Sequence, residues 1–345
     1  MSLLQETCGA ITGRSLEIER HIIDSWNTAS PVERYGRLVN MVAQYGAATN
    51  QETLAIPKPC MIIASADHGV ADMGVSAYPK ETTVGMTQNY LIPKGAGANS
   101  LANYCGAQME VIDMGIDADM SWVPGLRIHK LGRGTKNFVE EPAMTREQAI
   151  EGIETGIRLV KEKIDEGFNV FLVGEMGISN TTASALMTAK FAGLTAEEAT
   201  GRGTNISDER LKLKQRIVHD VLEKYKDIPK DDAIGILSSV GGFEFACIVG
   251  VILGAAANHG LVIIDGFNTS ACALVAKTLV PQVMDYVMAS HLSAEKAAKS
   301  SLENLGLEAY VDLGLCLGEA SGGSIQMGML DLAVHMYLAL TGGKA

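Results

Sequence analysis

Short apolar segments that each end in a cluster of glycine and polar residues recur along this chain of 345 residues. Segments with the 3.6-residue period of amphipathic helices lie between them. The predicted strands are residues 60–65, 108–114, 169–173, 233–240, 261–264, 286–289 and 310–315. Strands that alternate with helices pair in parallel and carry helices on both faces. The chain is therefore predicted to be an α/β protein with a parallel sheet, and a ligand site is expected at the carboxyl ends of its strands.

The predicted helices fill the segments between the strands and both ends of the chain. Residues 15–50 are expected to be helical apart from a break at Pro31. Further helices are predicted at 145–166, 180–192, 207–225 and 245–257, and after residue 322. We expect residues 1–50 and 325–345 to form a small helical domain beside a large α/β catalytic domain of residues 51–324.

Composition limits the classes of function that this chain can have. It is 47% hydrophobic and 20% charged, as in ordinary soluble proteins, and its net charge of −12 argues against binding nucleic acid or an anionic membrane. No apolar run reaches 18 residues, and residues 1–20 lack the apolar core of a secretory signal. The six cysteines form no C-x-x-C pair. We expect reduced, mostly buried thiols, no metal site and a cytoplasmic location.

Two glycine-rich segments are candidates for holding a phosphate. GEMGISNTT at 174–182 places Glu175 at a strand end, and Asn180 opens a helix whose free amides suit an anion. This segment is neither a P-loop nor a dinucleotide fingerprint, and an ordinary strand-to-helix turn explains it equally well. TGRGTN at 200–205 exposes backbone donors before a helix that carries Lys214. Taken alone, Lys214 is better explained as a solvated surface charge.

Glu319 is the strongest candidate for a catalytic base. It lies in DLGLCLGEASGGS, between an apolar strand and a turn that begins a helix. Apolar neighbours desolvate a carboxylate, which raises its pKa and makes it a better proton acceptor near neutrality. A surface glutamate is the alternative. His68 lies at another strand end, and we interpret it as a histidine that fixes its loop in preference to a general acid or base.

Together these motifs resemble the nicotinate-nucleotide–dimethylbenzimidazole phosphoribosyltransferase family. The matching segments are ADHG, VSAYPKE, GEMGISNTT, TGRGT, GGFEFA, DGF, SH and LGLCLGEASGG, in the family's order across residues 36–340. The resemblance implies a Rossmann-like α/β domain with a smaller helical domain built from both termini, usually as a dimer. It implies transfer of ribose 5-phosphate from nicotinate mononucleotide to a cobamide lower-ligand base, without a cofactor, giving an α-riboside phosphate and nicotinate.

The resemblance also implies roles for single residues. Glu319 matches the family's catalytic base, and Glu175 matches a second glutamate that orients the ribose or stabilises positive charge. The implied nucleotide and phosphate contacts are Gly177, Asn180, Gly203, Lys214, Gly266 and Ser290, and the acceptor contacts are Tyr78, Gly85 and Leu317.

Two departures from the family pattern concern the acceptor and the partner chain. SPVERYGRL at 30–38 stands where the family has a KPPGSLGRL-like segment, and Gly85 stands where it commonly has glutamine. Glycine removes an amide partner and adds space, so the acceptor is expected to be dimethylbenzimidazole, a phenol such as p-cresol, or a purine. The altered segment leaves a homodimer and a heterodimer with a paralogue both open.

Two other classes of function make different demands on the sequence. A nucleotide-dependent dehydrogenase needs a glycine fingerprint, and GAGANS at 95–100 neither follows a strand nor has the third glycine. A weakly active or inactive subunit of a heterodimer needs no complete site. The presence of Glu319, Glu175 and Lys214 argues against that alternative.

Overall fold

A six-stranded parallel sheet forms the centre of the computed structural model, which describes residues 2–343. The strands are β1 Pro59–Ala66, β2 Gln108–Gly115, β3 Arg127–Ile128, β4 Val170–Met176, β5 Leu261–Ile264 and β6 Val287–Ala289. Their order is β3-β2-β1-β4-β5-β6, and every neighbouring pair is parallel. This is the strand order of a Rossmann sheet. The predicted fold class is confirmed.

The central strands are apolar throughout because helices cover both faces of the sheet. Every residue of β1 and of β5 is buried, as parallel strands require. Ile63 in the middle of β1 pairs with Val111 of β2 on one side and with Gly174 of β4 on the other. The strand order reverses between β1 and β4, so the crevice in which such sheets bind ligands opens at the carboxyl ends of these strands.

Helices surround this sheet. They are α1 Leu3–Ala10, α2 Leu16–Ala29, α3 Arg37–Ala48, α4 Thr82–Leu91, α5 Gly97–Tyr104, α6 Arg146–Asp165, α7 Asn180–Ala192, α8 Ala196–Ala199, α9 Asp208–Lys224, α10 Ala233–Val240, α11 Phe243–Ala257, α12 Phe267–Leu279, α13 Ala298–Leu305 and α14 Ser321–Thr341. All the predicted helices are among them. Within residues 2–343 no helix combines the length and apolarity needed to span a membrane.

The helices from the two ends of the chain pack together. Trp26 of α2 is fully buried, and its ring lies 5.6 Å from that of Tyr337 on α14. Helix α14 also packs against β4 and β5, and the buried apolar side chains form a continuous cluster that runs from Leu4 to Leu338. The division into a helical domain (1–50 with 325–345) and an α/β domain (51–324) remains a prediction.

Two of the predicted strands are wrong. Residues 233–240 form α10, which Asp232 caps by accepting a hydrogen bond from the Gly235 backbone N–H. All of α10 is buried, and a fully buried apolar run has no periodicity that separates helix from strand. Residues 310–315 form only one isolated parallel bridge, between Val311 and His291, outside the six strands of the sheet.

Candidate active site

A cleft of about 530 Å³ opens at the carboxyl ends of β4, β5 and β6. Most of the predicted site residues line it: Tyr78, Glu175, Gly177, Asn180, Gly203, Gly266, Leu317 and Glu319. These residues come from several separate segments of the chain. The sheet brings them together because parallel strands end at one edge.

Glu319 lies in a strained turn over this edge of the sheet. Gly318, Glu319 and Ala320 have φ angles of 83°, 59° and 59°, a region that residues other than glycine rarely adopt. The Glu319 side chain is only 7% exposed. Burial raises the pKa of Glu319 to about 6, the Tyr90 hydroxyl opposes this rise, and the charge of Asp265 adds to it. Glu319 is therefore mostly ionised at pH 7 and retains appreciable basicity.

Gly174 allows the Glu319 turn to lie directly on β4. A Cβ atom at Gly174 would lie 2.6 Å from the backbone nitrogen of Ala320 and 2.8 Å from the carbonyl carbon of Glu319. Backbone atoms cannot yield to such a contact, so a larger residue would displace the turn. The first glycine of GEMG therefore positions the candidate base, a role that the sequence pattern did not indicate.

Glu175 is the penultimate residue of β4 and lines the same cleft. Burial raises the pKa of Glu175 to about 8, and the charges of Glu244 and Asp265 contribute, whereas the amides of Asn268 and Asn180 oppose the rise. Oε1 of Glu175 lies 3.0 Å from the position that a Cβ atom of residue 318 would occupy. The cleft thus holds two carboxyl groups in different protonation states at neutral pH, an arrangement typical of acid–base sites.

Lys214 is buried, so its interpretation as a solvated surface charge is wrong. Its side chain is 1% exposed, and Nζ donates to Thr181 Oγ1 at 2.8 Å and to the Gly201 carbonyl oxygen at 3.4 Å. Burial lowers the pKa of Lys214 to about 8, and the charge of Glu295 opposes that effect. Lys214 links the GEMG and GRGT segments from behind, since a Cβ at Gly203 would lie 3.5 Å from Nζ.

Asp265 and His291 line the cleft just beyond the ends of β5 and β6, with His291 Nδ1 3.9 Å from Asp265 Oδ1. The Asp265 carboxylate accepts from the backbone N–H groups of Gly322 at 2.6 Å and Gly323 at 3.2 Å, which fixes the first turn of α14. Ser290, a predicted nucleotide contact, lies behind the cleft wall and donates to the Asp265 carbonyl oxygen at 2.7 Å. The sequence places DGF and SH at strand ends, but their spacing indicates no role for Asp265 or His291.

The end of the cleft that carries the predicted acceptor contacts Tyr78 and Leu317 is open and apolar. Tyr78 and Leu317 are each 56% exposed there, and Thr82 and Met86 of α4 contribute side chains. Gly85 lies between these two residues in sequence, is exposed, and does not line the cleft. Its role in acceptor choice stays a prediction. Thr82 and Met86 were missed because residues 82–91 show no clear helical periodicity.

His68 has a position that fits a loop-fixing role. Its Nε2 lies 2.6 Å from Glu244 Oε1, and both side chains are fully buried. A Cβ atom at Gly177 would lie 3.2 Å from the His68 ring and 2.6 Å from the Ala66 carbonyl oxygen. The pair therefore supports the Gly177 turn from below and does not reach the cleft itself.

Comparison with known proteins agrees with this architecture. The family model DBI_PRT, described as phosphoribosyltransferase, matches residues 15–342. The chain is 43% identical over 310 residues to the nicotinate-nucleotide–dimethylbenzimidazole phosphoribosyltransferase of Geobacter sulfurreducens, covering 90% of this chain and 88% of that protein. Identity to the protein of the same name from Chloroflexus aggregans is 39% over 336 residues, covering 96% and 94%. The crystal structure of CobT from Thermus thermophilus superimposes with a TM-score of 0.88 at 32% identity, covering 95% of this chain and 99% of that one.

Proposed function

Because the chain belongs to the nicotinate-nucleotide–dimethylbenzimidazole phosphoribosyltransferase family and is a pentosyltransferase, we propose that it transfers ribose 5-phosphate from nicotinate mononucleotide to a cobamide lower-ligand base. The observation that carries the proposal is the pair of buried carboxyl groups, Glu319 and Glu175, on one cleft with two glycine-rich turns. The products are an α-riboside phosphate and nicotinate.

The donor nucleotide fits the polar end of the cleft. Gly177, Gly203 and Gly266 bring backbone close to the cleft, and Lys214 places a cation behind the GRGT turn. These groups supply the local donors that an anionic phosphate needs in a chain of net charge −12. Binding the phosphate away from the reacting carbon fixes the orientation of the ribose.

The chemistry proceeds with one bond formed and one broken. The acceptor nitrogen or oxygen attacks C1′, and the bond from C1′ to the pyridinium nitrogen breaks. The electron pair of that bond neutralises the nicotinate ring, while Glu319 takes the N–H or O–H proton of the acceptor. Glu175 in its ionised form stabilises the positive charge that develops at C1′. Attack opposite the leaving group converts a β-nucleotide into an α-product.

We propose that the chain uses a wider range of acceptors than dimethylbenzimidazole alone. The exposed Tyr78 and Leu317 leave the apolar end of the cleft open. Gly85, next to Met86 of the cleft wall, lacks the side-chain amide that a glutamine would carry at that position. A phenol presents a single O–H to Glu319 and needs no such partner. Phenol, p-cresol and purines are therefore proposed as acceptors beside dimethylbenzimidazole.

The second candidate is a subunit that is weakly active or inactive without a paralogue. The 30–38 segment motivates it, because this stretch departs from the family pattern. The position of Glu319 and Glu175 on a single cleft, with Lys214 behind the GRGT turn beside it, favours activity of this chain by itself.

A substrate panel tests both points. The purified chain is incubated with nicotinate mononucleotide and, separately, dimethylbenzimidazole, adenine and phenol, and products are identified by mass. We expect α-riboside phosphates with more than one acceptor. Activity with dimethylbenzimidazole alone would defeat the broader specificity, and activity that requires an added paralogue would favour the heterodimer.

A further inference from the structure

A line of buried polar side chains ends on Glu175. Ser184 Oγ donates to Asn268 Oδ1 at 2.6 Å, and Asn268 Nδ2 donates to Asn180 Oδ1 at 3.0 Å. Asn180 Nδ2 then donates to Glu175 Oε2. None of these four side chains is more than 9% exposed. We call Ser184, Asn268 and Asn180 the amide relay.

The amide relay joins three separate elements. Asn180 and Ser184 lie one turn apart on α7, and Asn268 lies in the first turn of α12, which packs against α7. The relay therefore ties the starts of two helices to the carboxyl group at the end of β4. Asn268 is 84 residues from Ser184 and 88 residues from Asn180 in sequence, so no local motif reveals it.

The direction of the relay is set by Glu175. A side-chain amide has an accepting oxygen on one side and a donating NH2 group on the other, a hydroxyl can donate or accept, and an ionised carboxylate only accepts. The NH2 group of Asn180 therefore faces Glu175, the NH2 group of Asn268 faces the oxygen of Asn180, and the oxygen of Asn268 is left to accept from Ser184. Without the hydroxyl of Ser184, the buried oxygen of Asn268 loses its donor, so the orientation in which Asn180 donates to Glu175 loses a hydrogen bond.

We propose that Ser184 and Asn268 are positioning residues of the transfer reaction, which hold the Asn180 amide as a donor to Oε2 and so favour the ionised form of Glu175. The identity of the substrate in this inference rests on the proposed function. The ionised carboxylate is the form that stabilises positive charge at C1′. Oε1 remains directed towards Gly318 and the turn that carries the base.

The amide relay opposes the effect of burial on the pKa of Glu175. Burial is the largest cause that raises its pKa, whereas the amides of Asn268 and Asn180 lower it. The titratable groups that lie around Glu175 from other elements are His68, Tyr90, Glu244, Asp265, Cys272 and Glu319. The other titratable residues that line the cleft are Tyr78, His291, Glu295 and Cys316. Loss of one relay hydrogen bond is expected to raise the pKa of Glu175 by about 0.5 to 1.

Two variants and a matched control test the relay. Ser184→Ala removes the hydroxyl that donates to the last amide oxygen of the relay, and Asn268→Ala removes two of the relay's hydrogen bonds. Ser301→Ala is the control, because Ser301 is equally buried but makes no contact with the relay. Its hydroxyl donates to the carbonyl oxygen of Ala297, just before α13, and lies 3.4 Å from Thr188 Oγ1 on α7. The kcat/KM for nicotinate mononucleotide is measured from pH 6 to 10 and expressed relative to wild type at each pH, which cancels the titration of unchanged groups.

We expect Ser184→Ala and Asn268→Ala to shift the rising limb of the profile upward by about 0.5 to 1 pH unit. Activity at pH 7 then falls about three- to tenfold and returns to within about twofold of wild type near pH 9.5. Ser301→Ala keeps the wild-type limb. A loss that is the same at every pH, or a limb that does not move, would overturn the proposal because a purely structural role gives those results.

A second measurement does not depend on activity. The carbonyl stretch of protonated Glu175, identified by its absence in Glu175→Gln, is titrated by infrared difference spectroscopy. It should vanish near pH 8 in wild type and at a higher pH in Ser184→Ala. Equal midpoints would overturn the inference even in a chain that transfers no ribose phosphate. If wild type released no nicotinate, this would contradict the proposed function but not the effect of the amide relay on Glu175.

Discussion

Replacement of Glu319 by glutamine should abolish most of the activity and stabilise the protein. The substitution keeps the shape of the side chain and removes its basicity. A group with a pKa of about 6 is roughly nine-tenths ionised at pH 7, so wild type has its base in the active form. A positioned base contributes on the order of 10² to 10⁴ in rate, and we expect kcat to fall by that factor with dimethylbenzimidazole.

The gain in stability follows from the same burial. The pKa of Glu319 rises from its ordinary value of 4.5 to about 6 on folding. This difference corresponds to about 2 kcal/mol by which the ionised group destabilises the folded state at pH 7. Because the folded pKa is the higher one, the penalty is absent below pH 4.5, develops between pH 4.5 and 6, and is constant above that range. A neutral glutamine does not carry this destabilising charge. Glu319→Gln should therefore unfold up to about 3 °C higher than wild type at pH 7, and at nearly the wild-type temperature at pH 4.

Two assays on the same samples test the predicted effects of Glu319→Gln on activity and on stability. Nicotinate release gives kcat, and calorimetry at pH 4, 5, 6 and 7 gives the unfolding temperature. Lower activity together with lower stability at pH 7 would refute the reasoning, since it would mean that the glutamate is retained for packing. Unchanged activity would refute the role of base directly.

Three further changes test the walls of the cleft. Gly174→Ala should displace the Glu319 turn, lower kcat at least tenfold and reduce the free energy of unfolding, measured by denaturant titration, by about 1–3 kcal/mol. Gly323→Ala is the control and should leave kcat unchanged, because a Cβ there meets nothing nearer than 3.6 Å. Equal effects of the two substitutions would contradict the steric argument. Lys214→Met should raise KM for nicotinate mononucleotide at least about tenfold at pH 7. The KM of wild type should rise as the pH passes about 8, because the ammonium group of Lys214 then loses its proton. A KM that does not change with pH would exclude Lys214 from phosphate binding. Gly85→Gln should narrow the acceptor range towards dimethylbenzimidazole in competition assays, and an unchanged product ratio would remove Gly85 from acceptor choice.

The sequence predicts the sheet well because parallel strands have a clear signal. Continuous apolar runs bounded by glycine and polar clusters located β1, β2, β4, β5 and β6. The same signal failed at 233–240, where the run is equally apolar but belongs to a buried helix. It failed at 310–315 because Gly314 has a φ of 64°, which interrupts extended backbone after a single bridge.

Much of the site was predictable for a related reason, since residues at strand ends converge whatever the details of packing. Contacts between distant segments were not predictable. The burial of Lys214, the contact of Gly174 with the Glu319 turn, and the link from Ser184 to Asn268 all depend on how helices and loops pack over the sheet. Spacing along the chain carries no information on such contacts.

The most direct test of the account is the stoichiometry of products from this chain alone. Purified protein is incubated at pH 7.5 with nicotinate mononucleotide and dimethylbenzimidazole, and nicotinate and ribosylated products are quantified together. The account predicts nicotinate and α-riboside phosphate in equal amounts, with little nicotinate released when the acceptor is left out. Nicotinate that appears with free ribose 5-phosphate at the same rate with and without acceptor would contradict it.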